Sequence, residues 1–103
     1  MKEVVAVPFA VMQEMPNVSE DEYRLVEQHL GPDRPQGLLA HVSGPSEVGW
    51  RIINVWESEA AFRRFQTERL MKAAGLAAQD ERFDASKAAG FRSYTVDGAE
   101  MPF

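Results

Sequence analysis

Apolar positions along this chain switch between a period of two and a period near 3.6, and each switch marks an element. Residues 3–12 are valine-rich and read as a strand. Pro8 inside them implies an edge position or a bulge, because proline cannot donate to a sheet ladder. Pro16 and Asn17 end that strand. Residues 19–30 carry an apolar stripe of Tyr23, Leu25, Val26 and Leu30 and predict a helix. Ser19, with Glu22 three positions on, is a capping box. Glu20, Asp21 and Glu22 set negative charge where the helix dipole favours it. Gly31-Pro32 is the stop signal, and residues 31–37 form a loop.

Residues 38–43 (LLAHVS) and 50–56 (WRIINVW) predict two strands joined by a Gly/Pro/Ser turn, a β-hairpin. Ser58 caps a second helix that starts at Glu59 and carries Ala61, Phe62, Phe65 and Leu70; Gly75 ends or kinks it. Residues 76–89 predict a short further helix and a loop, residues 91–96 (FRSYTV) a last strand, and residues 97–103 an irregular tail. Strand, helix, strand, strand, helix, strand is the split βαβ order. The sequence therefore predicts one α+β domain over residues 1–103, of ferredoxin-like βαββαβ type with a four-stranded antiparallel sheet.

Two helices cover only one face of such a sheet. Trp50, Ile52, Asn54 and Trp56 alternate with Arg51, Ile53 and Val55, and both sets are mainly apolar. Val5, Val7, Phe9 and Val11 lie opposite Val4, Ala6 and Ala10, and Leu38, Ala40 and Val42 opposite Leu39 and His41. A face so apolar left in water exceeds what monomers tolerate. The expectation is a homodimer laid sheet to sheet, symmetric pairs being the commonest oligomers.

The net charge of −5 deprives a nucleic-acid role of its electrostatic driver, so no nucleic-acid partner is expected. Arg63-Arg64, flanked by Glu59 and Glu68, reads as a solvated helix face. No apolar run is long enough to span a bilayer, so no membrane partner is expected either. The absence of cysteine removes disulfides, thiolate metal sites and thiol nucleophiles, and fits a cytoplasmic protein.

His41 is the polar residue that stands out, inside a strand of apolar neighbours. It fits a catalytic base or a substrate hydrogen-bond donor, or a structural histidine held by a local partner. The hairpin register decides whether it shares a face with Trp50, Asn54 and Trp56, and a slip of one residue reverses the answer. Trp50 and Trp56 suit stacking on a flat ligand or plain core packing. A buried Asn54 needs partners, whether ligand, water or neighbouring strand. Tyr23 and Tyr94 can place hydroxyls in a pocket, Tyr23 equally as a core residue. Arg51 and Arg92 suit a carboxylate or an interface partner. His29 stands at a helix end, where positive charge suits the dipole. The two histidines lack metal-ligand spacing, and no phosphate loop or nucleophile elbow is visible, so no metal or cofactor site is expected.

Residues 37–70 resemble the dimeric α+β barrel superfamily, and within it the small antibiotic-biosynthesis-monooxygenase-like proteins. The likeness rests on Gly37 with His41 four residues on, Gly49-Trp50 at the start of a strand, Trp56-Glu57-Ser58 at its end, and Phe62-x-x-Phe65 on a helix. It implies a dimeric α+β barrel and a small-molecule enzyme working without a cofactor. The reactions it implies are oxidation, isomerisation or cyclisation of a flat apolar metabolite. His41 would move protons, Asn54 and Tyr94 would orient the substrate, Trp56 would stack on it, and Phe62, Phe65 and Trp50 would add apolar wall. Oxygenase and haem-degrading members carry Asn four residues before the strand-end Trp, where this chain has Ile52; its Asn54 stands two before Trp56. The second helix also lacks the histidine that haem degradation needs. Two other readings stand beside the enzyme: a non-catalytic small-molecule binder or accessory homodimer, and a homodimer whose pocket is filled by its own side chains.

Overall fold

The computed structural model describes residues 7–96 and residue 99. The predicted strand start at residues 3–6 and most of the predicted tail lie outside the described residues. The elements run β1 (Phe9–Pro16), α1 (Glu20–Leu30), β2 (Leu38–Pro45), β3 (Gly49–Trp56), α2 (Glu59–Phe65), a π-helical turn (Gln66–Leu70), α3 (Met71–Ala78), a 3-10 turn (Ala85–Gly90) and β4 (Arg92–Val96). The sheet order is β2-β3-β1-β4, with every neighbour antiparallel. This is the ferredoxin-like α+β arrangement that the element order predicts.

Local chemistry sets the helix starts. Ser19 Oγ accepts from the Glu22 N–H and Glu22 Oε1 accepts from the Ser19 N–H, each at 3.2 Å, so the capping box closes. Ser58 Oγ accepts from Ala61 N at 3.1 Å and starts α2. Gly75 does not end the second helix: α2, the π turn and α3 run on through αR junctions to Ala78.

Pro8 makes neither an edge nor a bulge. It precedes the ladder, and β1 is a central strand paired with β3 on one side and β4 on the other. β1 also runs past Met12 to Pro16, because Gln13, Glu14 and Met15 pair with Ile52, Arg51 and Trp50. The strand then stops where Pro16 and Asn17 signal it, Asn17 taking a positive φ.

The helices cover one sheet face. Phe9, Val11, Trp56, Ala61 and Phe62 form one buried cluster, and Met15, Val18, Tyr23, Trp50 and Ile52 form another. Leu25, Val26, Ala77 and Phe83 join α1 to α3. The opposite face is uncovered: Val42 is 65%, Tyr94 53% and Ile53 43% exposed. Arg51 and Glu14 form an ion pair across β1 and β3.

Candidate functional site

A cavity of about 510 Å³ opens between the helix-side face of the sheet and the helices. Its walls draw on every buried cluster: Trp56, Phe62 and Phe65 at one end, Met15, Tyr23 and Ile52 at the other, Val26, Ala77 and Phe83 above. Phe65 and Phe62 lean on Trp56 with ring centroids 5.1 Å and 5.9 Å away. Trp56 and Phe62 are buried, and Phe65, partly exposed, packs on Trp56. Exposed His41 and Arg34 line the cavity as well, so it opens to solvent there.

His41, Asn54 and Tyr23 meet at one part of the wall. The hairpin turn pairs His41 with Asn54, which turns both to the cavity. A bulge between Leu38 and Ala40 then returns Leu38 to the same side, opposite Trp56, against the simple alternation predicted for β2. His41 Nδ1 lies 2.6 Å from Asn54 Oδ1. An amide oxygen only accepts, so in this contact Nδ1 is the donor and Nε2 is the ring nitrogen left to accept a proton. The Tyr23 hydroxyl stands 3.5 Å from Nε2, at the outer limit of a hydrogen bond, and receives one from Ser43 Oγ at 3.4 Å. Burial raises the Tyr23 pKa above the ordinary phenol value, outweighing the lowering bond from Ser43, so the hydroxyl stays protonated.

His41, Asn54, Trp56, Phe62 and Phe65 all line the cavity. His41 is exposed, where its apolar neighbours predicted partial burial, because β2 is an edge strand. Tyr94 does not join the cavity: it pairs with Met12 on the open face and is half exposed. Trp50 is not part of its lining either. It is 4% exposed and stacked on Tyr23 with centroids 4.9 Å apart, which is core packing.

Gln13, Arg34 and Arg69 are among the cavity residues that the sequence does not single out. Gln13 lies beyond the predicted end of the first strand. Arg34 sits in a loop with no periodicity to read. Arg69 belongs to the π turn, which a 3.6-residue pattern does not anticipate. The indole N–H of Trp56 is buried with no partner among the described residues. No group of histidines and carboxylates suited to a metal occurs among the described residues.

No family model and no curated protein matches the sequence. Among solved structures, the monooxygenase from the gene ActVA-Orf6 of Streptomyces coelicolor, in complex with Nanaomycin D, matches at 20% identity with a TM-score of 0.53, covering 95% of this chain and 94% of that one. This chain has the fold of that monooxygenase. SnoaB, a cofactor-independent oxygenase from Streptomyces nogalater, matches at 14% identity with a TM-score of 0.48, covering 94% of this chain and 97% of SnoaB. The fold agrees with the superfamily that residues 37–70 resemble. No helix among the described residues is long and apolar enough to cross a membrane.

Proposed function

We propose that the chain is a small-molecule enzyme that removes a proton from a flat, largely apolar metabolite held in the cavity, with His41 as the base. The observation that carries this reading is a largely apolar cavity of about 510 Å³ at whose wall His41 meets Asn54 and Tyr23. A cavity of this size falls in the range of small-molecule sites and counts against a pocket filled by its own side chains.

Asn54 holds the ring so that Nε2 takes the proton. The 3.5 Å contact from Tyr23 is loose enough for a seated ligand to compete for Nε2. The ligand's ring system lies against partly exposed Phe65, which Trp56 and Phe62 support from the core. Proton removal leaves an electron-rich anion, which either takes a proton back elsewhere, as in isomerisation or cyclisation, or passes electrons to dioxygen. Likeness in fold to a monooxygenase supports the oxygen branch without choosing between them. The open sheet face would seat a second copy, making a homodimer.

Background-corrected exchange of the acidic C–H protons of 2-tetralone into D₂O, followed by NMR, tests the proton step. Wild type should accelerate exchange. His41→Ala should lose the acceleration by ~10²–10⁴-fold while retaining binding of the probe. Exchange at the wild-type rate in His41→Ala would remove the proposed role. Oxidation of 1,4-dihydroxynaphthalene to the quinone, with dioxygen reduced to hydrogen peroxide, reads the oxygen branch.

A further inference from the structure

Seven of the eight arginines divide by what they bond; the eighth, exposed Arg64, has no side-chain bond among the described residues and does not line the cavity. Arg24, Arg51, Arg63 and Arg82 pair with carboxylates, and none of them lines the cavity. Arg34, Arg69 and Arg92 line it, and among the described residues each bonds only main-chain carbonyls. In a protein of net charge −5, cations kept from carboxylates at a cavity wall require a reason.

Two of the three bond the ends of the α1–β2 loop. Arg34 donates from Nε and Nη2 to Leu38 O, at 3.1 Å and 2.6 Å. Arg69 donates from Nη2 to Leu30 O at 2.7 Å, with its guanidinium 5.7 Å over the Phe65 ring. Leu30 ends α1 and Leu38 begins β2, so both acceptors belong to the two ends of one loop. The carbonyls orient the guanidinium groups without neutralising them. Arg34 Nη1 and Arg69 Nε and Nη1 have no acceptor among the described residues. Along the same wall, Glu14 pairs with Arg51 and Glu27 with Arg24, leaving Asp33 as the opposing charge.

We propose that Arg34 and Arg69 form a carboxylate subsite at the α1–β2 loop end of the cavity, so that the ligand is an aromatic acid. Its ring lies against partly exposed Phe65, and its carboxylate takes the free guanidinium donors. Planar forks held on fixed acceptors suit a planar anion. This inference names a ligand class for the cavity of the proposed enzyme and rests on that reading of it.

Binding of 2-naphthoic acid and of its neutral methyl ester, followed by calorimetry at low salt, tests it. The acid should bind ~10-fold or more tightly than the ester, the preference shrinking as salt rises. Arg34→Gln and Arg69→Gln should each erase most of that preference and leave the ester's affinity unchanged, which also reports that the fold is intact. Arg69→Lys should restore part of it, and Asp33→Asn should increase it. Equal binding of acid and ester by wild type overturns the subsite and spares the cavity reading. Binding of neither probe overturns both.

Discussion

His41 and Asn54 face each other across the β2–β3 ladder, with Nδ1 2.6 Å from Oδ1. The contact fixes which ring nitrogen is basic, and an amide does so without adding charge. Asn54→Leu should therefore lower the rate of 2-tetralone exchange by ~10–100-fold, less than removal of His41 itself, with little change in probe affinity. A rate loss matched by an equal affinity loss would make Asn54 a binding group instead.

Glu22 ties α1 to the 3-10 turn. It closes the α1 capping box, accepts from Asp84 N at 3.1 Å, and pairs with Lys87 at 2.6 Å. Burial alone raises its pKa, but the Lys87 ammonium and two backbone N–H groups outweigh it, and the net shift is downward. A carboxylate whose folded pKa is depressed adds stability above its unfolded pKa and loses it as pH falls through the folded one. Urea melts should show stability falling below about pH 4.5, the ordinary glutamate range. Lys87→Met should cost ~1–3 kcal/mol at neutral pH and flatten that acid limb.

Two glycines should respond oppositely to alanine. Gly37 holds φ +88°, and a Cβ there would stand 2.6 Å from Ala61 Cβ. Gly37→Ala should destabilise by ~1–3 kcal/mol. Gly75 lies inside α3 with nothing within 4 Å of an added Cβ. Gly75→Ala should stabilise by ~0.5–1 kcal/mol, read as a higher midpoint in thermal melts.

Ile53 and Val42 sit at paired positions on the open sheet face. If that face seats a second copy, wild type should sediment as a dimer at micromolar concentration and Ile53→Lys as a monomer. A wild type that sediments as a monomer would remove the homodimer proposal.

The sequence determined the fold order, because each element carries its own signal. The Ser19–Glu22 and Ser58 caps, the Gly31-Pro32 stop and the apolar alternation of 50–56 are local and survive any packing. It also singled out His41 and Asn54 as residue types needing partners. It did not determine their meeting, since register depends on where the hairpin turns and a single residue reverses every face. Only the tertiary structure decided that His41 looks inward while Tyr94 looks outward, and that Trp50 is spent on stacking with Tyr23. It alone extended β1 to Pro16 through long-range pairing, and brought Arg34 from a loop and Arg69 from a π turn to one cavity. Contacts between residues far apart in the chain leave no periodicity to read; they exist only once the sheet and helices close on each other.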